Sequence, residues 1–358
     1  MGAPPPAGAL MEEPSSLARA ALVCKPWCRL ISVPRFGRRL REFHRTAPVL
    51  GLICNRADEY LYSIYLARFV TTCSFRPRHA DRRWWRALDA RHGRVLLRGV
   101  SWGPRQLVVW DPVTDDWSQL PTGPLLAYDW NAAMLCAACG TGACDQLDCY
   151  LRPFLVVFLG TGVDHMTLWV YSSEVGAWRE PTSVVQFPKY HVDLLPSAIV
   201  GNALHFIIDY SRRIFKYDLA TREMFVILQP PRSYRSCTTI MTMEDGGLGV
   251  ARMEGPRLSL WSMEANLNGS MGWAQIRAID LVKLLSVNAQ SICSDFVGFA
   301  HGVGILFVGT DDGLFSLDLK SGQVRKHWER SLQVTDQGLV PQALNRQKIL
   351  NDRFLGSG

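Results

Sequence analysis

The sequence has no long hydrophobic run. Its most apolar stretch, Phe296 to Gly309, covers about fourteen residues and includes four glycines and His301, fewer than the roughly twenty apolar residues of a membrane-spanning helix. The first residues lead into Glu12 and Glu13, whereas a secretory signal peptide has a basic start and an apolar core. We therefore expect a protein of the cytoplasm or the nucleus, whose ten cysteines are reduced thiols.

Catalytic sequence motifs are missing as well. The sequence contains no Gly-x-Ser-x-Gly elbow, no Gly-x-x-x-x-Gly-Lys-Ser/Thr loop and no dinucleotide-binding glycine pattern. His92 and His205 lie in segments that we predict to be strands, and we expect both to be packed side chains. Asp111 and Asp218 stand where turns begin, a position at which a carboxylate bonds backbone amides. We predict no catalytic residue and no cofactor; an enzyme with a site in a central channel is an alternative.

Four cysteines lie close together in the sequence, separated by gaps of two and four residues: Cys136, Cys139, Cys144 and Cys149. Such gaps are compatible with zinc ligation. However, these cysteines flank apolar segments that a β-domain buries in any case. We therefore predict buried thiols and no metal site, with zinc binding as the alternative.

The basic residues are concentrated in the first third of the chain. Lys and Arg number 39 against 32 Asp and Glu, a net charge of +7. Eight basic residues and one acidic residue lie between Arg19 and Arg45, and ten basic and two acidic residues lie between Arg68 and Arg105. Clustered arginines can contact phosphates, but arginines on the outer side of a helix are usually a solvated face. We expect neither a nucleic-acid nor a membrane partner, and nucleic-acid binding by the basic stretch from Lys25 to Arg45 is an alternative.

One pattern occurs five times after residue 48. Each copy is a short apolar strand that ends in an aromatic residue or Leu, followed by Asp or Ser, a polar turn and a second strand that often contains Trp. The residues after the aromatic or Leu are Asp111, Ser172, Asp218, Ser262 and Asp318. The steps between them are 61, 46, 44 and 56 residues, and a period of about fifty residues is typical of a β-propeller blade.

A propeller also explains how such hairpins become stable. A hairpin alone is marginally stable in water, whereas radial stacking buries its faces and leaves only short edges. We therefore predict a mainly β protein, a β-propeller-like repeat domain of about six blades, with a degenerate sixth copy in Val49 to Val70. A β-sandwich is the alternative fold, although it gives no reason for the fifty-residue period.

The N-terminal segment has a different pattern. Residues 1–13 are rich in Pro and Ala, which predicts a mobile tail. From Ser15 to Ile31 the apolar residues recur at spacings of three and four, with a break at Pro26, which predicts two short helices. We therefore divide the chain into a tail over 1–13, a helical unit over 14–47, the β-domain over 48–345 and a C-terminal tail over 346–358.

The helical unit resembles the second half of an F-box. From Leu22 to Phe36 it reads Leu-Val-Cys-Lys-Pro-Trp-Cys-Arg-Leu-Ile-Ser-Val-Pro-Arg-Phe, similar to the Val-Cys-Lys-x-Trp motif and the Asp-Pro-x-Phe ending of that family. Together with the β-repeats that follow, it resembles the plant F-box proteins that carry a propeller-like domain. The resemblance implies a non-catalytic substrate receptor of a ubiquitin ligase. Its implied partners are a Skp-type adaptor, through it a cullin, and a protein target bound by the β-domain.

The resemblance also implies residues for the adaptor contact, namely Leu17, Leu22, Val23, Cys24, Trp27 and Leu30. Their other interpretation is packing of the helical unit on itself or on the β-domain. The sequence departs from the family at the first F-box helix, whose place is taken by residues 1–13. The alternative function is therefore an interaction scaffold that no longer binds the adaptor.

A candidate target-binding loop lies within the β-domain. Trp84, Trp85 and Arg86 adjoin two further arginines, and clustered tryptophan and arginine side chains favour protein binding. Tryptophans in this pattern can also alternate between core and surface, which is the other interpretation.

Overall fold

A computed structural model gives the fold of residues 49–57, 65–71, 75–100, 106–123, 129–139, 149, 152–162, 165–179, 190–231, 237–265, 269–292, 297–301, 303–310, 312–328 and 342–345. Over these residues the regular secondary structure is almost entirely antiparallel β-sheet. The strands form four-stranded units, and in five of them the strands follow chain order from one edge to the other. The sixth unit is joined to its neighbour by one parallel contact, between Leu66 and Trp85, so that these two units belong to one eight-stranded sheet.

Five of these units, called blades 1 to 5, follow one another along the described chain. Blade 1 contains β4 (Trp85–Arg91), β5 (Arg94–Gly99), β6 (Leu107–Trp110) and β7 (Trp117–Gln119). Blade 2 contains β8 (Trp130–Cys136), β9 (Phe154–Thr161), β10 (Met166–Ser172) and β11 (Ala177–Trp178). Blade 3 contains β12 (Ala198–Val200), β13 (Ala203–Ile208), β14 (Arg213–Asp218) and β15 (Met224–Leu228). Blade 4 contains β16 (Cys237–Thr242), β17 (Leu248–Glu254), β18 (Arg257–Ala265) and β19 (Met271–Asp280). Blade 5 contains β20 (Val297–Ala300), β21 (Ile305–Thr310), β22 (Gly313–Asp318) and β23 (Val324–Trp328).

Blade 6 closes the ring with strands from both ends of the described chain. Its strands are β24 (Gln342–Asn345), β1 (Val49–Ala57), β2 (Tyr65–Thr71) and β3 (Asp81–Arg83), in that order. The first strand of each blade contacts the first strand of a neighbour, as β24 does with β4 and β20, so these strands surround the axis. The described residues therefore form a six-bladed β-propeller, which confirms the predicted propeller and excludes the sandwich. The sixth copy expected in Val49 to Val70 corresponds to β1 and β2.

The repeated sequence pattern is the hairpin of the third and fourth strands. Its Asp side chain accepts hydrogen bonds from backbone amides two and three residues further on: 2.9 and 3.3 Å for Asp111, 2.9 and 3.0 Å for Asp218, and 2.9 and 3.1 Å for Asp318. These amide donors hold the pKa values of Asp218 and Asp318 below the usual range. The prediction that Asp111 and Asp218 bond backbone amides is confirmed.

The tryptophans of the repeat join neighbouring blades at the outer strand. In blade 2, Trp178 Nε1 donates a hydrogen bond of 3.0 Å to the carbonyl of Pro121, which follows the outer strand of blade 1. In blade 4, Trp273 Nε1 donates one of 2.6 Å to the carbonyl of Leu228, the last residue of the outer strand of blade 3. A large apolar ring with a single donor can both pack between blades and satisfy an edge carbonyl. This is a physical reason for Trp at this position of the repeat.

Apolar side chains fill the spaces between the blades. Leu159 and Leu168 of blade 2 share one cluster with Phe206 and Phe215 of blade 3. A buried amide replaces part of this apolar packing between blades 6 and 1, where Asn55 donates to the carbonyl of Ala87 at 2.8 Å and accepts from its amide at 2.7 Å. The Asn55 side chain thus adds a pair of hydrogen bonds between the two blades.

Two local features differ from the sequence analysis. Helix α1 (Leu281–Leu285), capped by the side chain of Asp280, lies in a region for which only strands were expected. The prediction of His92 in a strand is wrong, because His92 and Gly93 form the turn between β4 and β5 with φ of 52° and 76°. Within the described residues, no helix has the length and apolar character needed to cross a membrane.

Candidate functional site

The sequence-predicted loop Trp84-Trp85-Arg86 lies at the junction of blades 6 and 1. Strand β3 ends at Arg83, and Trp84 has a left-handed φ of 70°, so the chain turns there and enters β4 at Trp85. Trp84 is 45% exposed and Arg86 is 8% exposed. Trp85 is half-buried against the apolar cluster between the two blades. Exposure therefore decreases along this loop: Trp84 lies at the surface, Trp85 is half-buried and Arg86 is buried.

Arg82 is the centre of an aromatic cluster at this junction. Its guanidinium carbon lies 4.4 Å from the ring centroid of Trp110 and 4.5 Å from that of Trp117. The ring of Trp85 lies 5.4 Å from that of Trp117. A guanidinium held over indole faces is attracted by their negative quadrupole. Blade 6 therefore places a cation against two tryptophans of blade 1, whose own ring centroids lie 6.4 Å apart.

Asp115 completes the cluster with its carboxylate. It pairs with the guanidinium of Arg82, accepts from Trp110 Nε1 at 3.0 Å and contacts His79 Nδ1 at 2.6 Å. Burial opposes ionisation of this carboxyl, but the hydrogen bonds from His79 and Trp110 and the charge of Arg82 outweigh it, so its pKa lies below the usual range. Burial lowers the pKa of Arg82, and Asp115 counteracts that effect. The cluster fixes Trp117, which remains 38% exposed.

We expect Arg82→Lys to lower the free energy of unfolding by about 1–2 kcal/mol, because an ammonium cannot contact the Trp110 and Trp117 rings and pair with the Asp115 carboxylate as the planar guanidinium does. Urea unfolding followed by circular dichroism measures this change. Arg83→Lys is the matched control, because Arg83 is exposed on the same strand and surface substitutions stay within about 0.5 kcal/mol. Equal unfolding midpoints for the two variants would show that the contacts of Arg82 with Trp110, Trp117 and Asp115 add no stability.

A second polar cluster, called the axial cluster, lies near the axis and joins blades 1, 2 and 3; it consists of Asp89, Arg91 and Ser197 with the amide of Met134. Asp89 of β4 accepts from Arg91 Nε at 2.9 Å and from the amide of Met134 in β8 at 2.7 Å. The guanidinium of Arg91 also donates to the hydroxyl of Ser197, just before β12, at 2.9 Å. Burial raises the pKa of Asp89, although Arg91 and the backbone donors oppose the rise. The groups of this cluster bond one another across blades, an arrangement that serves structure.

Two histidines lie on the side of the axis where blades 3, 4 and 5 meet. His301 Nδ1, just after β20, lies 3.3 Å from the hydroxyl of Thr242 at the end of β16. Burial lowers the pKa of His301 to about 3, with smaller effects from Arg91 and His205. Burial and the charge of Lys216 lower the pKa of His205 to about 4. His205 is 2% exposed, which confirms that it is a packed side chain.

The known proteins to which this chain is similar are distant from it in sequence. No protein-family model matches the chain, and no curated protein does. TolB from Acinetobacter baumannii aligns over 86% of this chain and 70% of its own, with 9% identity and a TM-score of 0.48. A protein of unknown function from Desulfotomaculum acetoxidans aligns over 83% of this chain and 90% of its own, with 10% identity and a TM-score of 0.47. The WD40 domain of SCAP from fission yeast aligns over 70% and 53%, with 13% identity and a TM-score of 0.39.

The fold itself is suited to protein interaction. A propeller is a rigid ring that presents side chains on its faces and rim, while its strands are paired within blades. Exposed aromatic side chains on such a framework are typical of interface anchors. Trp84 and Trp117 meet this description at the junction of blades 6 and 1.

A further exposed aromatic was missed in the sequence. Tyr210, 60% exposed, lies in the turn between β13 and β14, where Asp209, Tyr210 and Ser211 have φ of 56°, 53° and 58°. Its ring stacks on His191 at 4.5 Å, and His191 Nδ1 lies 3.0 Å from a carboxylate oxygen of Asp129. The Asp-Tyr-Ser sequence signals a turn, but it does not signal a left-handed run of three residues. This stack depends on contacts between segments distant in the chain.

The other candidate residues are placed as follows. Cys136 and Cys149 are buried and Cys139 is half-buried, whereas Cys144 is outside the described residues. Among the described residues, no group of three or more His, Cys, Asp or Glu is arranged to hold a metal ion. The six predicted adaptor contacts, and the basic stretch from Lys25 to Arg45, also lie outside the described residues.

Proposed function

We propose that this chain is the non-catalytic substrate receptor of a Skp-cullin-F-box ubiquitin ligase, acting in the cytoplasm or the nucleus. The propeller holds a protein target, the segment 14–47 binds the adaptor, and catalysis belongs to the partners. The observation that carries the target-binding half is the pair of exposed tryptophans, Trp84 and Trp117, on a rigid propeller. The ligase half is supported by the F-box resemblance of the sequence.

Of the two exposed tryptophans, Trp117 is held in place before any partner binds. Trp117 stacks on Arg82 and lies against Trp85, so little rotational freedom remains to be lost on binding. Binding loses affinity when interface side chains must first be ordered. Tryptophan and arginine are also the residue types most enriched among side chains that dominate binding energy.

Capture of a purified Skp-type adaptor and cullin by the full chain tests the ligase half. We expect the native chain to capture both, and the double variant Leu22→Ala with Trp27→Ala to lose about tenfold or more in affinity, since buried apolar anchors dominate such contacts. Trp84→Ala is the matched control, a tryptophan truncation in the propeller that leaves adaptor capture unchanged.

Two results would contradict this assignment. A native chain that captures no adaptor would favour the scaffold, the alternative suggested by the departure at residues 1–13. Equal capture by the native chain and the double variant would show that Leu22 and Trp27 pack internally and do not contact the adaptor.

A further inference from the structure

The nine described arginines of the basic stretch from Arg68 to Arg105 separate into two groups, and Arg105 lies outside the described residues. One group is buried or half-buried: Arg82 lies against Trp110 and Trp117, Arg86 is buried, Arg91 pairs with Asp89, and Arg94 and Arg98 lie over the rings of Phe154 and Trp130. The other group is exposed and lies on or next to the outer strands of blade 6: Arg68, Arg76, Arg78 and Arg83. Among the described residues, the exposed positive charge of this sequence stretch therefore lies on or next to the outer strands of blade 6.

The exposed arginines lie on the same segment as Trp84, and Arg82 of that segment contacts Trp117. We call the exposed residues of 65–84 and 110–117 the Trp–Arg surface; they are Arg68, Arg76, Arg78, His79, Asp81, Arg83, Trp84, Asp116 and Trp117. Contacts through Arg82 connect its two segments, because Arg82 stacks on Trp117 and pairs with Asp115, which in turn contacts His79. These contacts place the two segments next to each other at the junction of blades 6 and 1.

The charges of the Trp–Arg surface do not cancel. These exposed residues include four arginines and two aspartates. Of the aspartates, Asp81 pairs with Arg68 at 3.3 Å. Asp115, at the edge of the surface, is already engaged by Arg82 and His79. The surface therefore carries net positive charge next to aromatic side chains.

We infer that the Trp–Arg surface binds an acidic peptide segment of the protein target. Carboxylates pair with arginines in a geometry that can be bidentate, and apolar side chains of the same segment pack on Trp84 and Trp117. A surface that combines both contacts selects a peptide with alternating acidic and apolar character over a nucleic acid, whose bases require exposed stacking faces in series. The inference rests on the proposed function, since it assigns target binding to the propeller.

Fluorescence anisotropy with a labelled twelve-residue peptide of alternating Glu and Leu is the direct test. The full chain is titrated against this probe and against the same peptide with Gln in place of Glu. We expect the acidic peptide to bind about tenfold or more tightly than the Gln peptide, and its affinity to fall as salt is raised from 50 to 300 mM, because the contacts are partly exposed ion pairs. Equal affinity for the two peptides overturns the inference.

Variants locate the site. Arg78→Glu with Arg83→Glu reverses two exposed charges, and Trp84→Ala removes one anchor; we expect each to weaken binding of the acidic peptide about tenfold. Arg212→Glu is the matched control, an exposed arginine of blade 3, and it leaves the affinity unchanged. Circular dichroism of each variant verifies folding. Peptide binding that these variants do not weaken overturns the inference.

Two further outcomes would point to a different ligand or to a different function. A single-stranded oligonucleotide of equal charge that binds more tightly than the acidic peptide, and loses affinity in the same variants, overturns the inference in favour of nucleic acid. Adaptor capture is measured on the same protein samples. Loss of peptide selectivity with retained adaptor capture overturns only this inference, whereas loss of adaptor capture with retained peptide selectivity overturns only the ligase assignment.

Discussion

Replacing Asp89 with alanine is expected to lower the free energy of unfolding by about 3–5 kcal/mol, because the buried charge of Arg91 loses its carboxylate. The side chains of Asp89 and Arg91 are 3% and 11% exposed and lie 2.9 Å apart. The amides of Ala90 and Met134 would also lose their acceptor. Because Met134 belongs to blade 2, the substitution weakens a link between blades as well as an ion pair. Urea unfolding measures the change.

The matched control for this substitution is Asp81→Ala. Asp81 also pairs with an arginine, Arg68, at 3.3 Å, but the two side chains are 51% and 46% exposed. Exposed ion pairs contribute about 0–1 kcal/mol, so this variant should remain close to the native chain. A loss for Asp89→Ala no larger than that of the control would show that the axial cluster does not hold the blades together.

The propeller is expected to lose stability as the pH falls from about 6.5 towards 4, mainly through His205. Its pKa in the folded chain is about 4, below the value near 6.5 of an unfolded histidine. Between these values the unfolded chain takes up a proton that the folded chain does not. The stabilising contribution of His205 is therefore complete above pH 6.5. Below pH 6.5 it falls by about 1.4 kcal/mol per pH unit until the pH reaches the folded-state pKa.

Other titrating groups modify this dependence. His301, with a pKa of about 3, acts in the same direction, but less than that value suggests because part of its surface is exposed. Burial also lowers the pKa of His327. The raised pKa of Asp89 acts in the opposite direction, since the folded chain then holds the proton more firmly than the unfolded chain.

Urea unfolding at several pH values between 4 and 7 measures the dependence. His205→Gln should flatten the decrease in stability between pH 6.5 and 4, whereas the exposed His165→Gln should leave the native slope. An unchanged slope in His205→Gln would contradict the view that buried neutral histidine at this position sets the acid sensitivity.

The sequence revealed the second strand and the outer hairpin of most blades and left the first strand of each blade unassigned. Hairpins such as β14 and β15 carry an Asp turn and partly exposed strands, and these features repeat visibly. The first strand of a blade has no such signal; all seven residues of β8 are buried, so no alternation marks it. The pairing of β1 with β24 joins residues from opposite ends of the described chain, and local patterns do not reveal such a contact.

The candidate site was found only in part for a similar reason. Trp84 and Trp85 are adjacent in sequence, but their exposure depends on the left-handed turn at Trp84. The partners that fix the cluster, Asp115 and Trp117, come from a turn and strand of the next blade. Composition indicated a basic and aromatic region, and only the packing of blades 6 and 1 separates its structural arginines from its exposed ones.

The central claim is that one chain carries two independent binding sites, one for the adaptor and one for the acidic peptide. A two-by-two binding experiment tests this claim most directly. Affinities for the purified adaptor and for the acidic peptide are measured on the double variant Leu22→Ala with Trp27→Ala, and on Arg78→Glu with Arg83→Glu. We predict that the first variant loses the adaptor and keeps the peptide, and that the second keeps the adaptor and loses the peptide. A chain whose two variants lose both ligands together, or neither, would contradict the claim.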